Sequence, residues 1–479
     1  MSSGAALDTI VAPATPVGRS ALAIVRIDGP DSASILASLS RAEVPEPRVA
    51  TFTHVYAGDE RIDECIAIRY AAPHSFTGND LVELTLHGNP LLVERLLEAA
   101  RSLGARSAEP GEFTERAVLN GKLDLVQAES IADLINARTS LQAKLSLSNL
   151  DGTLSRTASS IRESLLNVIS RLEAALDFSD EGYEFISREE ARSRLQEAIA
   201  ACASLAETYR RGRATTHGLS LVILGAPNAG KSTLLNRLVG SERAIVTPIP
   251  GTTRDIVRET IEIGGLPVTI ADTAGLREDA DVVEGIGIER ARRAAAEADV
   301  VLYLIDATRG PDHRDDAEIA RFNALPVYTK RDIAPHPAFG HPLPAARGEG
   351  HSMNDVASGL RPREAGEKVP KADEGEPLSI SALTGDGVPQ LLARLDAVVR
   401  DRFAAPEGSP TVVNERQRAS ITACETSLRI ALGSLDAGMN EQMILVDLYA
   451  ASAALATLIG AITREDVFAT IFSSFCIGK

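Results

Sequence analysis

The 479-residue chain contains no tryptophan, and its aromatic residues amount to 4%. Platforms on which nucleic-acid bases could stack are therefore scarce. Cysteine is nearly as rare: Cys65, Cys202, Cys424 and Cys476 are widely scattered and form no CxxC pair. That spacing gives no disulfide framework and fits a reducing cytoplasm. Positive charge is in deficit, with 49 Lys and Arg against 66 Asp and Glu, a net charge of −17. Such a chain is repelled by polyanions, so a nucleic-acid role requires a local basic patch or a basic partner. No run of about 18 apolar residues spans a bilayer. Met1–Ala12 lacks the charged n-region and apolar stretch of a signal peptide. The expectation is a cytoplasmic protein with no membrane span.

What is present fits a multidomain globular protein of about three domains, with an ordinary apolar content of 44%. Residues 1–121 mix β-like runs, Ala21–Ile27 and Leu81–Leu86, with a helix at Pro90–Leu103, and read as an α+β domain. Residues 122–215 change to helical period. Ile161, Leu165, Val168, Leu172 and Leu176 form one stripe, and Leu195, Ile199, Cys202 and Leu205 another, the pattern of bundle core. Residues 216–400 alternate strand and helix as a parallel α/β domain does, with buried-type strands at Leu219–Leu224, Val268–Ala271 and Val300–Ile305. Helical period returns over 401–479. Neither helical half is long enough for a good core alone, so the α/β domain reads as an insertion into one helical domain. Residues 334–377 hold seven of the 24 prolines and six glycines. With few large apolar residues they read as a disordered insertion, the alternative being a structured functional loop.

The most specific signal is Gly225-Ala-Pro-Asn-Ala-Gly230-Lys231-Ser232, between the strand Leu219–Leu224 and the helix Thr233–Val239. This is GxxxxGKS in the strand–loop–helix context that the P-loop requires. Glycine lets backbone N–H groups converge on phosphate oxygens, and the helix N-terminus adds partial positive charge. Lys231 is expected on the β- and γ-phosphates and Ser232 on Mg2+. Gly251-Thr-Thr-Arg-Asp255 and Asp272-Thr-Ala-Gly275 follow in the order of a GTPase. Asp272 ends an apolar strand near the metal, and Thr253 can add a second Mg2+ oxygen when its loop closes over the γ-phosphate.

GTPases of this superfamily carry Asn-Lys-x-Asp after a strand, whose Asp accepts two hydrogen bonds from guanine. Here Pro326–Tyr328 leads to Thr329-Lys330-Arg331-Asp332. Lys330 and Asp332 keep the pattern and favour guanine, while Thr329 stands in place of Asn. Ser381, Ala382 and Leu383 resemble the last base-contacting loop. Leu276 occupies the place of the water-orienting Gln found in small regulatory GTPases. Glu284 is a candidate for that work, although from its surroundings alone a solvated loop carboxylate is the stronger reading.

GAPNAGKST, GTTRD, DTAGLRE…VEGIGIER and the terminal Phe475-Cys-Ile-Gly-Lys479 together resemble the MnmE (TrmE) family of tRNA-modification GTPases. DTIVAPATPVGRSALAIVRIDGP, SFTGNDLVELTLHGNP and PGEFTERAVLNGKLDLVQAESIADLINA match as well. The resemblance spans almost the whole chain outside 334–377. It implies an N-terminal α+β domain that binds folate and dimerises, a discontinuous helical domain and an inserted P-loop GTPase domain. It further implies a homodimer that assembles with the flavoprotein MnmG into a heterotetramer. That assembly modifies the wobble uridine of certain tRNAs at C5, adding an aminomethyl or carboxymethylaminomethyl group with a one-carbon unit from 5-formyl- or 5,10-methylene-tetrahydrofolate.

By the same resemblance, GTP contacts extend over Asn228, Ala229, Gly230, Lys231, Ser232 and Thr233, over Thr247, Pro248, Ile249, Pro250, Gly251, Thr252 and Thr253, and over Asp272, Thr273, Ala274 and Gly275. K+ replaces an arginine finger, held by Asn228, Thr247, Ile249 and Thr252, and supplies positive charge between the phosphates. Glu284 becomes the catalytic carboxylate beside Lys231. Folate falls to Arg26, Glu83, Lys122 and Lys479, with Cys476 close by. Cys476 also opens a C-a-a-X box by position, but Gly478 and a terminal Lys argue against prenylation. His87 has no assigned role and reads as structural. Thr329 and the insertion depart from the family pattern beside the base pocket, away from the phosphate chemistry. The rival function is a ribosome-assembly or translational GTPase switch, which needs no folate site.

Overall fold

In the computed structural model, the described residues are 8–178, 185–241, 243–245, 258–271, 284–333 and 378–460, with 471, 472, 475 and 478. They group into two compact units: residues 1–135, 147–206 and 415–479, and residues 136–146 and 207–414. The span expected for the GTPase domain, 216–400, lies inside the second.

The first unit opens with β1 (Ile10–Pro13), β2 (Leu22–Asp28), α1 (Ser32–Ser40), β3 (Thr51–Ala57), β4 (Glu60–Tyr70), β5 (Leu81–His87), α2 (Pro90–Ser102), β6 (Arg106–Ser107) and α3 (Glu112–Leu119). The six strands form one sheet in the order β3-β4-β5-β2-β1-β6, antiparallel except for β1 with β6. Side chains alternate across a strand. Val25, Ile27, Ala67, Val82 and Leu84 therefore share a face, and they pack with Ile35, Leu36, Leu39, Leu96 and Leu97 from α1 and α2. The other face carries the rung Phe52–Ile66–Thr85–Ile24 and, one rung on, Ile68–Glu83–Arg26. Phe52 on that face is 59% exposed.

The helices α4 (Leu125–Asn136), α5 (Ser140–Leu150), α6 (Thr153–Asp177) and α7 (Arg188–His217) follow, and α5 and α7 each run across the division between units. The predicted stripe of α6 is buried at Ile161, Leu165, Val168 and Leu172.

The second unit contains β7 (Leu219–Gly225), α8 (Lys231–Val239), β8 (Arg258–Ile263), β9 (Leu266–Ala271), α9 (Glu284–Glu297), β10 (Val300–Asp306), α10 (His313–Phe322), β11 (Leu325–Thr329) and α11 (Val388–Phe403). The sheet order is β11-β10-β7-β9-β8. Four strands are parallel, but β8 runs antiparallel to β9, which corrects the expectation of a wholly parallel sheet. The short Gly264-Gly265 turn, with both residues at positive φ, allows a hairpin that a parallel crossover could not make. Leu221 and Ile223 meet α8 and α11 on one side, while Val222 and Leu224 meet α9 and α10 on the other. Burial on both faces explains why the inner strands read as continuous apolar runs.

The first unit closes with α12 (Glu415–Asp436) and α13 (Glu441–Ile459), which pack on each other, and α13 also packs on α6. Cys202 of α7 and Cys424 of α12 lie side by side, Sγ–Sγ 3.7 Å, although 222 residues separate them. Among the described residues α13 is the one helix long and apolar enough to cross a membrane. Its buried Ile444, Leu448, Ala451 and Leu455 make it the core helix of this bundle.

Candidate functional site

The turn after β7 is built from left-handed backbone. Gly225 has φ 146°, Asn228 φ 61° and Gly230 φ 93°. A Cβ on Gly225 would stand 2.6 Å from the Leu304 carbonyl of the neighbouring strand, so only glycine fits there. Asn is among the few side chains that tolerate the conformation at 228. Gly230 then starts α8 with no side-chain cap, which leaves the first-turn N–H groups for an anion. The Lys231 ammonium donates to the Gly225 and Ala226 carbonyls, 2.9 Å each, and so lies over the loop. Ser232 and Thr233 are exposed beside it. β7 lies between β9 and β10, so this loop opens at the point where strand order reverses, the crevice in which α/β sheets bind ligands.

The turn expected to recognise the base follows β11. Thr329 is 1% exposed, and its hydroxyl reaches the Ala229 carbonyl at 2.8 Å and the Ile305 carbonyl at 3.2 Å. The substitution of Asn by Thr therefore does not concern the base pocket alone, as the sequence suggested: it ties that turn to the phosphate loop. Lys330 sits at φ 63°, with its ammonium 2.6 Å from Asp306. Burial opposes ionisation of Asp306, yet hydrogen bonds from Lys330 and Thr308 hold it below the usual carboxylate range. Asp332 is exposed at the end of the turn.

Leu378 to Ile380 run beside β11, with Tyr328 donating to Leu378 and Ile380 donating to Tyr328. This brings Ser381 and Ala382, both buried, and Leu383, 71% exposed, next to the turn. Arg237 of α8 donates to the carbonyls of Ala382 and Leu383. Sequence reasoning missed Arg237, because an arginine on the polar side of an amphipathic helix carries no signal of its own. Glu284 begins α9. Thr247, Pro248, Ile249, Pro250, Gly251, Thr252, Thr253, Asp272, Thr273, Ala274, Gly275 and the insertion 334–377 lie outside the described residues. Asp272 directly follows Ala271, the last residue of β9, which pairs with Val222 of β7.

In the first unit, Arg26 and Glu83 face each other across β2 and β5 and are ion-paired at 2.8 Å. The Tyr70 hydroxyl donates to the other Glu83 oxygen at 3.2 Å, and burial together with the Glu83 charge raises the phenol pKa. The Arg26 guanidinium stacks over Phe76, 5.5 Å from the ring centre. The loop carrying Phe76 also receives Lys122, whose ammonium donates to the Pro73 carbonyl at 3.2 Å. Gly478 packs against the Pro13 backbone, where a side chain would collide. Pro13 neighbours Ala12, which pairs with Arg26. Cys476 and Lys479 lie outside the described residues. His87 is paired rather than idle: Nδ1 lies 2.9 Å from Asp63, and that hydrogen bond and charge raise the imidazole pKa.

The family models described as MnmE helical domain and as GTP-binding protein TrmE N-terminus match residues 125–476 and 9–122. The chain is 38% identical over 484 residues to the tRNA modification GTPase MnmE of Koribacter versatilis (strain Ellin345), covering 98% of this chain and 99% of that one. It is 40% identical over 481 residues to the protein of that name from Symbiobacterium thermophilum, covering 98% and 99%. Among solved structures, Aquifex aeolicus Era is similar over 44% of this chain and 66% of that one, with 27% identity and a TM-score of 0.25.

Proposed function

We propose that this chain, which belongs to the MnmE family of tRNA-modification GTPases, couples GTP hydrolysis to C5 modification of the tRNA wobble uridine. The observation that carries the reading is the Gly225–Ser232 loop, held open in left-handed backbone with Lys231 above it and tied through Thr329 to the base turn. Backbone N–H groups and Lys231 bind the phosphates, and Asp332 accepts from the guanine edge. The exposed hydroxyl of Ser232 fits Mg2+, with Thr253 as second ligand. Asn228, exposed at the loop's crest, fits one position in a K+ cage with Thr247, Ile249 and Thr252. These cations supply positive charge to the phosphates. Glu284 orients the attacking water, and a loose transition state needs positioning more than basicity.

The second half of the proposal is a tetrahydrofolate site at Arg26, Glu83, Lys122 and Lys479. The donor set fits such a ligand. Glu83, held by Arg26 and Tyr70, presents carboxylate oxygen to the N–H groups of a pterin. Lys122 has no carboxylate partner among the described residues and suits the glutamate tail. Exposed Phe52 and Ile66, with half-buried Ile24 and Phe76, add apolar surface on the same face. Such a patch marks an interface and supports a homodimer formed there. Partnership with a flavoprotein of the MnmG type follows from family membership. A GTPase acting only as a ribosomal switch has no use for the Arg26–Glu83–Tyr70 group.

The test is single-turnover GTP hydrolysis in KCl, with nucleotide affinity measured on the same preparations. Glu284→Ala is expected to keep affinity within a few fold and to lose about two orders of magnitude in rate. Hydrolysis at the wild-type rate would remove Glu284 from the mechanism. Thermal protection of the wild type by 5-formyltetrahydrofolate, lost in Glu83→Ala, tests the second half.

A further inference from the structure

The chain's charge of −17 makes any cluster of unpaired cations conspicuous. One lies in the second unit, where the C-terminal turns of α7 and α11 meet. Arg211 donates to the Asp401 carbonyl at 3.3 Å, the Arg210 guanidinium stacks over Phe403 at 5.2 Å, and the Thr215 hydroxyl reaches the Phe403 carbonyl at 3.5 Å. These contacts bring four exposed arginines together: Arg210, Arg211 and Arg213 of α7, and Arg400 of α11. Among the described residues, Arg210, Arg211, Arg213 and Arg400 have no carboxylate partner. On the far side of α7, Gly212 packs so closely on Val412 that a Cβ there would collide, which turns Arg210 and Arg213 outward.

Helix C-termini attract arginine for their own sake, and the magnitudes decide whether that suffices. Each terminus is worth about half a negative charge. Four carboxylates belong to these segments. Asp396 is already paired with Arg243 and Glu407 with Lys144, 2.8 Å each. Glu207 and Asp401 remain. Four arginines against two carboxylates and two half-charges leave an excess of about one positive charge. The excess is felt locally: burial and then Arg213 lower the His217 pKa.

We infer that the exposed arginines at the joined ends of α7 and α11 dock the phosphate backbone of the tRNA substrate. The inference rests on the tRNA-modifying reading above and gives it a surface. A guanidinium offers a planar fork that matches phosphate oxygens two at a time. Few aromatic side chains accompany the arginines, so the surface binds backbone without reading bases. That suits a docking site which holds the body of a folded RNA while its wobble base is presented elsewhere. It also answers the electrostatic objection to the chain, since a local patch lets an acidic protein approach a polyanion.

The test is binding of fluorescent tRNA to the full-length protein over a KCl series, with basal GTP hydrolysis as control. Each phosphate released from contact lowers the slope of log affinity against log salt by about 0.7 to 0.9. The double variant Arg213→Gln/Arg400→Gln touches no structural contact described above. It is expected to weaken binding several-fold and flatten the slope by about 1.5. Adding Arg210→Gln and Arg211→Gln should deepen both effects, with GTP hydrolysis unchanged. Wild-type affinity and slope in the double variant would overturn the docking site while leaving the tRNA reading intact. Intact tRNA binding with lost affinity for a protein partner would also overturn it, in favour of a protein contact. Absence of tRNA binding by the wild type would overturn both.

Discussion

Replacing Thr329 by valine removes one hydroxyl and keeps the shape of the side chain. The hydroxyl is buried and serves two carbonyls, at 2.8 Å from Ala229 in the phosphate loop and 3.2 Å from Ile305 in β10. A net hydrogen bond is worth about 1 kcal/mol, and a buried carbonyl left without a partner costs about 1–3 kcal/mol. The better bond is the one to Ala229, so the loss falls on the link between the phosphate loop and the base turn. In the proposed site Asp332 and Lys231 would hold opposite ends of one nucleotide, and their spacing depends on that link. A loss of about 1.4 kcal/mol is tenfold in affinity. Thr329→Val is therefore expected to bind both GDP and GTP about tenfold more weakly, with kcat at saturation within about threefold of wild type. Thr329→Ser keeps the donor and should recover most of the affinity. Fluorescent-nucleotide titration and steady-state hydrolysis measure both quantities. Wild-type affinity in Thr329→Val, or no recovery in Thr329→Ser, would refute the tether.

Other outcomes follow from the same geometry. Asp332→Asn should shift preference from GTP toward xanthosine triphosphate, read by competition titration, because the amide reverses one hydrogen-bond direction. Turnover should be faster in KCl than in NaCl at matched ionic strength, and Asn228→Ala should abolish the difference. Burial and the charge of Glu129 one turn away push the Asp133 carboxyl up to about 7. A carboxyl raised in the folded state loses its stabilising contribution as pH rises from its unfolded value to its folded one. Asp133→Asn should therefore raise the melting temperature at pH 8, by at most about 4 kcal/mol of stability, with the gain shrinking as pH falls and vanishing below the unfolded value, at about pH 3.

The parts of the site visible in the sequence are those made by neighbours in the chain. Strand, glycine loop and helix from Leu219 to Val239 are one continuous run, and their residue types state the backbone they need. Asp332 was visible because it closes a short pattern that follows a strand. The Thr329 tether was not, since Ala229 lies 100 residues away and only the parallel pairing of β10 with β7 and β11 brings the two together. Arg237 escaped for the same reason, its partners standing about 145 residues downstream. The pairing of Arg26 with Glu83 depends on the register of β2 with β5, so the residues alone could not join them. Only the family resemblance put them in one site. The antiparallel edge strand β8 was missed, although its alternation of charged and apolar residues, RETIEI, is what a strand at a sheet edge shows.

If GTP hydrolysis at this loop drives modification of the tRNA wobble uridine, mass analysis of tRNA nucleosides from a deletion strain should show loss of C5-aminomethyl and C5-carboxymethylaminomethyl wobble uridines, restored by the wild-type chain but not by Glu284→Ala. Undiminished modification in the deletion strain, or full restoration by Glu284→Ala, would contradict that coupling.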